Sequence, residues 1–231
     1  MRITDYRNAT SQEVMQKKYN PWIGISLGNK YFTIEHLEGY VRSCLKIARE
    51  GILVIIADEP HAINYEVFEG MKSDTAVVKA LRNGEKVASM VDDAVSRLSQ
   101  EEKQKVKVVK WKELVSAVWY RERQKIFEKA FQEEASFRNT LVEIVRLNMG
   151  DRIENLSQVQ IEKLATYVLC ELPIFMGAIE LNGTVYDLHL YPGLSLMDDF
   201  VLDLQERKIF PEIMKNITID HPLSIIEAYA N

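Results

Sequence analysis

Cysteine and histidine are scarce in this 231-residue chain: two cysteines, Cys44 and Cys170, lie far apart, and there are four histidines. Two isolated thiols in no metal-like spacing exclude a disulfide framework and a cysteine-based metal site, and they point to a reducing compartment. Long hydrophobic runs are also missing. No apolar stretch approaches membrane-spanning length, and the start, Met1-Arg2-Ile3-Thr4-Asp5, has no continuous apolar core of a signal peptide, so a cytoplasmic protein with no membrane partner is expected. There is no repeat, low-complexity tract or obvious linker. Strong charge is lacking as well, since a net −5 is not that of a protein that coats itself in nucleic acid.

What is present is the composition of a globular chain, 47% hydrophobic and 27% charged. A single α/β domain over 1–231 is expected, with residues 1–20 as a polar tail or short helix. The run Trp22-Ile23-Gly24-Ile25-Ser26 is too short for a helix and is followed by Leu27-Gly28-Asn29, so it predicts a buried strand turning into a loop with Ser26 at its carboxyl end. Helical spacing from Ile34 to Arg49 and the β-branched run Ile52 to Asp58 complete a strand–helix–strand unit. Ser73-Asp74 predicts the start of a long helix to about Ser99, Lys105 to Trp111 a third strand, and Lys112 to about Glu133 a charged helix. Arg138 to Met149 and the segment opened by Ser157 read as further helices, the latter ended or kinked by Pro173. Asn182-Gly183 predicts a hairpin turn between Ala178–Leu181 and Thr184–Leu190. The rest reads as a helix or two and an ordinary tail. The fold expected is a parallel sheet wrapped by helices.

Charge is unevenly placed. Residues 79 to 129 hold thirteen Lys and Arg against eight acids, a net +5 that leaves −10 for the remainder. Lys79, Arg82 and Lys86 share one face of their helix, the pattern either of a solvated surface or of a phosphate-binding footprint.

Gly24-Ile25-Ser26-Leu27-Gly28 matches the Gly-x-Ser-x-Gly elbow of serine hydrolases, but those serines follow several strands and precede their acid and base. Here Ser26 ends the first strand in this reading, and only His189 and His221 come late enough to be its base. A second pair, Tyr167 and Glu171, lies four apart on one helix face, where a carboxylate can accept from a phenol or bind an ammonium.

Taken together, Gly24-x-Ser26 with Asn29, and Tyr167-Val168-x-x-Glu171-x-Pro173 some 140 residues later, resemble the two signatures of the tRNA-dependent cyclodipeptide synthases. Tyr191, and Tyr120 with Arg123 followed by Phe137-Arg138, agree with that family's pattern. The resemblance covers roughly Trp22 to Pro192. It implies a Rossmann-like fold similar to the catalytic domain of class I tyrosyl- and tryptophanyl-tRNA synthetases, a monomer, and no cofactor or metal. It further implies two aminoacyl-tRNA substrates joined into a 2,5-diketopiperazine by ping-pong transfer. In that scheme Ser26 is the nucleophile, Tyr167 and Glu171 hold the ammonium and move protons, and Tyr191 positions the intermediate. Gly24, Asn29, Tyr120, Pro192, Trp22, Trp111 and Ile174 would contact the aminoacyl groups, and Lys79, Arg82 and Lys86 would face tRNA. One departure stands out: the family's branches carry either Asn at the position of Asn29 or Tyr-Pro at Tyr191-Pro192, and this chain has both. A serine esterase or acyltransferase, or a catalytically silent tRNA-binding module, are the rival expectations.

Overall fold

The computed structural model describes residues 1–193 and 195–230. In chain order its elements are β1 (Arg2–Arg7), α1 (Ser11–Met15), β2 (Pro21–Ser26), α2 (Ile34–Ile47), β3 (Ile52–Ala57), α3 (Ala62–Glu69), α4 (Ser73–Ser96), α5 (Gln100–Gln104) and β4 (Val106–Lys110). Then follow α6 (Trp111–Val115), α7 (Val118–Glu133), α8 (Ala135–Met149), α9 (Gln158–Phe175), β5 (Ile179–Leu181), β6 (Thr184–Tyr186), β7 (Leu188–Tyr191), α10 (Leu196–Gln205), α11 (Pro211–Met214) and β8 (Ser224–Tyr229).

Six strands form the main sheet in the order β1-β8-β7-β2-β3-β4, all parallel except β1, which runs antiparallel to β8 at the edge. The expected α/β class and parallel sheet are therefore observed. The chain grows outward from β2 in one direction through β3 and β4, then returns to place β7 on the other side of β2. Such a reversal leaves a crevice beyond the carboxyl ends of the two strands on either side of it, the usual ligand position in an open α/β sheet. Ser26 ends β2 and Tyr191 ends β7, so both flank that crevice.

Alternation along the strands splits the core in two. Trp22, Leu53, Ile55 and Ala57 pack with α7, α8, α9 and α10 on one face, and Ile23, Ile25, Ile52 and Val54 pack with α2 and α4 on the other. All six residues of β3 are buried, as a strand covered on both faces requires. Helix α4 comes close to the end of β3 because Ala76, Ala80 and Gly84 are small; a Cβ on Gly84 would lie 2.4 Å from Cβ of buried Asp58.

Several local expectations change. Residues 1–20 hold a strand as well as a helix, and the carboxyl-terminal tail contributes β8, which lies between β1 and β7. Both strands carry polar residues among the apolar ones, so their patterning is weak until they pair across more than 200 residues. Lys72, not Ser73, occupies the N-cap of α4, without a side-chain cap. The 112–133 helix is two helices, broken at Ser116 and Ala117. Pro173 neither stops nor starts α9, which runs to Phe175. The Asn182-Gly183 turn forms with both residues at positive φ, 53° and 80°, as a tight primed turn demands. The strand expected after it divides at Asp187, whose carboxylate accepts from the Asn20 backbone N–H at 2.8 Å.

Candidate active site

A cavity of about 710 Å³ opens at the crevice. Trp22, Gly24 and Ser26 alternate along β2 and present one face to it, while the turn after Ser26 brings in Asn29, whose N–H donates to the Ser26 carbonyl at 3.1 Å. Gly24 keeps the space above Trp22 open, since a Cβ there would sit 3.6 Å from the indole ring.

Helix α9 supplies Tyr167 and Glu171 one turn apart, with Leu164, Val168 and Ile174 on the same wall. Two donors from α7 secure its end around Pro173: the Tyr120 hydroxyl donates to the Cys170 carbonyl at 2.7 Å, and Arg123 to the Pro173 carbonyl at 3.1 Å. Tyr120 is therefore buried and bound to the helix that carries Glu171, and it does not reach the cavity wall. Pro192 is likewise not among the lining residues.

The polar groups are tightly interdependent. Desolvation beneath the helices pushes the Glu171 carboxyl up to about 7; its contact with Tyr167 opposes that rise, and the charge of Asp198 adds to it. Desolvation also raises the Tyr167 phenol well above the ordinary tyrosine range, reinforced by the Glu171 charge and opposed by the interaction with Ser26. Tyr191 is raised mainly by burial, against its contacts with Asn29 and Ser26. Asn29 Nδ2 donates to the Tyr191 hydroxyl at 2.9 Å while Asn29 Oδ1 accepts from the Tyr31 N–H at 2.9 Å, so the turn itself orients the phenol. The coexistence of Asn29 with Tyr191-Pro192 thus has a direct use: the two side chains bond one another.

Ser26 consequently faces two phenols and, beyond one of them, a carboxyl group. None of the described histidines hydrogen-bonds it. His189 stacks on Trp22 with ring centroids 4.0 Å apart, and burial pushes its imidazole down to about 3. His221 is exposed. A serine–histidine hydrolase dyad is therefore not assembled from either of the late histidines.

Sequence patterning brings Ser26, Gly24, Asn29, Trp22, Trp111, Tyr167, Glu171, Ile174 and Tyr191 to one cavity. It raised His189, on β7, only as a possible base for Ser26, and gave no signal for His61, Asn64, Asn148 and Arg152 at the mouth or for Phe175 and Asp198 in the walls. Those without a signal come from helices and turns whose local sequence is unremarkable, and only packing places them. Asp198 is 6% exposed, and its carboxylate is occupied by the N–H and hydroxyl of Ser195, capping α10. Among the described residues no cluster of His, Cys, Asp and Glu has the arrangement of a metal site. No described helix is long and apolar enough to cross a membrane.

On α4, Arg82 and Lys86 are exposed, while Lys79 is partly withdrawn, 2.5 Å from Glu69 and over the Tyr65 ring at 4.3 Å. The three cations do share a face, but one is already paired.

Comparison with known proteins gives a consistent outcome. No curated protein sequence matches. Among solved structures, a cyclodipeptide synthase from Bacillus thermoamylovorans superimposes with a TM-score of 0.75 at 14% identity, covering 95% of this chain and 92% of that one. A Mycobacterium tuberculosis protein, described as showing that cyclodipeptide synthetases are related to type I tRNA synthetases, gives 0.73 at 18% identity, covering 99% and 96%. The enzyme from Candidatus Glomeribacter gigasporarum bound to Phe-tRNAPhe gives 0.56 at 18%, covering 90% and 86%. At such identities these likenesses speak to the fold. The sequence model of the cyclodipeptide synthases matches residues 6–204, most of the chain, and with that match the chain belongs to the cyclodipeptide synthase family.

Proposed function

We propose that this protein joins two aminoacyl groups, delivered as aminoacyl-tRNAs, into a 2,5-diketopiperazine through an aminoacyl ester on Ser26. The observation that carries the reading is the placement of Ser26 at the sheet's reversal point, against Tyr167 and, behind it, the buried Glu171. The use of tRNA follows from family membership, and a relative of the same fold has been captured with Phe-tRNAPhe.

The chemistry needs no nucleotide. An aminoacyl-tRNA is already an activated ester, so transfer to a serine hydroxyl exchanges one ester for another. The Ser26 oxygen bonds to the acyl carbon, the ribose oxygen leaves, and the serine proton passes to that ribose oxygen. Held in place, the acyl group then meets the amine of a second aminoacyl-tRNA, which forms the amide and returns the proton to Ser26. Intramolecular attack by the remaining amine on the second ester closes the ring and releases tRNA. Positioning of this kind converts slow bimolecular steps into fast ones.

Glu171, ionised above about 7, suits the α-ammonium of the Ser26-bound group and can accept its proton, with Tyr167 between Glu171 and Ser26 as the relay. Tyr191, held by Asn29, would position the dipeptidyl intermediate. Arg82, Lys86 and, less freely, Lys79 would meet tRNA phosphates.

The test is mass spectrometry of medium from bacteria producing the protein or its Ser26→Ala variant, beside an empty-vector control. A diketopiperazine made by the wild type and lost in Ser26→Ala is expected. Undiminished product from folded Ser26→Ala would overturn the serine ester. A folded wild type that binds tRNA in a salt-sensitive way yet makes no product would favour the silent module.

A further inference from the structure

The inner arm of the cavity, beyond Gly24, is walled by Trp22, Ile55, Ala57, Trp111, Ile174 and Phe175, all buried. Two unpartnered polar groups interrupt these apolar walls, the indole N–H of Trp22 and the imidazole of His189, and only the imidazole can also accept a hydrogen bond. His189 is 4% exposed, stacked on Trp22 and edge-on to Phe175 at 5.1 Å. The ring lines the cavity; its Nδ1 is buried without a partner, and no described residue hydrogen-bonds its Nε2. A neutral imidazole carries one donor and one acceptor, and buried polar groups are nearly always satisfied, so an unpaired nitrogen at a ligand cavity points to a ligand atom.

Depth narrows the choice. Trp22 is level with His189 across the strand pair, four residues from Ser26, or about 13 Å at the usual strand rise. The indole leans back over Gly24, which leaves about 6–7 Å, one pleat repeat, between the serine and the Trp22–His189 stack. An aliphatic side chain attached at Ser26 stops short of the imidazole. A six-membered ring with one polar atom at its tip reaches it, between aromatic walls suited to a ring.

We infer that the first aminoacyl group taken by Ser26 carries an aromatic side chain with a hydrogen-bonding tip, tyrosyl being the simplest case, and that His189 selects it. This inference rests on the serine-ester reading above. A site that hydrogen-bonds a substrate hydroxyl rejects the analogue lacking it, because its own buried group is then stranded.

The experiment incubates purified protein with one aminoacyl-tRNA at a time, quenches in acid and weighs the intact protein for an adduct on Ser26. Wild type should acylate at least about tenfold faster with tyrosyl- than with phenylalanyl-tRNA. His189→Leu should bring that ratio close to one, and His189→Gln should keep most of it. Replacing an unpartnered buried polar group by an apolar one of similar size leaves the fold intact, which a thermal melt of each variant checks. Equal use of the two tRNAs by wild type, or a ratio unmoved in His189→Leu, overturns the inference. So does a wild type acylated preferentially by leucyl-tRNA, which leaves the serine-ester reading standing. No adduct from any aminoacyl-tRNA overturns both.

Discussion

The two ends of the cavity are built on different terms. Its inner arm is made by strands β2, β3 and β7 and the end of α9, with ring packed on ring: Trp22 against His189 and against Phe175 at 5.4 Å. Its mouth is made by helix surfaces, where Glu69, Asn148 and Arg152 are exposed and His61, Asn64 and Tyr65 half-buried. Asn64 bonds His61 at 3.2 Å, and Arg152 rides over the Phe68 ring at 5.1 Å. Close-packed interiors do not yield to a misfitting group, whereas long side chains in water rearrange cheaply. The inner arm should therefore discriminate by shape and the mouth should tolerate change.

Removing the charge at the junction of the two regions should have the largest effect. Glu171→Gln should lower turnover by about 10²–10⁴-fold, and wild-type kcat/KM should rise as pH passes about 7, a limb that the variant lacks. Stability moves the opposite way. Because the folded carboxyl titrates above its ordinary value of 4.5, the native state holds a proton that the unfolded chain has lost, so this group costs stability as pH rises from 4.5 to about 7. Glu171→Gln should thus gain stability relative to wild type at pH 8 compared with pH 4, on the order of 3 kcal/mol, read from denaturant midpoints. A constant difference between the two pH values would deny that Glu171 is desolvated.

A smaller effect sharpens the contrast between the arms themselves. Gly24→Val fills space beside the Trp22 ring and should cut product formation by about 10²-fold, since misplacement of the reacting group by about 1 Å is enough for that. Asn148→Val at the exposed mouth should change it less than about threefold. Equal losses in a steady-state product assay would erase the distinction.

The smallest effect is expected outside the cavity. Arg82→Ala with Lys86→Ala should weaken tRNA binding a few-fold and lower the slope of log affinity against log salt by about two, as expected if each contacts one phosphate. A slope that stays the same would remove α4 from the tRNA-facing surface.

Legibility followed the range of the interactions. The β2–α2–β3 unit was readable because each element's apolar residues are dictated by its neighbours in the chain, all six β3 residues being buried. Asn182-Gly183 was readable because a turn with two positive φ values admits few residues. Strand β1 was not, since its burial depends on pairing Arg2 with Tyr229. Within the site, Ser26, Tyr167, Glu171 and Tyr191 were legible as residue types at fixed spacing. The role of Tyr120 was not: the phenol that resemblance directs to the substrate bonds the Cys170 carbonyl instead.

By itself, the sequence determined the α/β class, the strand-end serine, the carboxylate one helical turn from a phenol, and the absence of a metal-like cysteine pattern, because each depends on residues a few positions apart. Only the tertiary structure decided that β7 returns beside β2. That return sets Tyr191 against Ser26 and Asn29, desolvates Glu171, and leaves the His189 ring against Trp22 with a nitrogen unpaired. Those are consequences of burial, and burial is created by segments more than 130 residues apart meeting around one crevice.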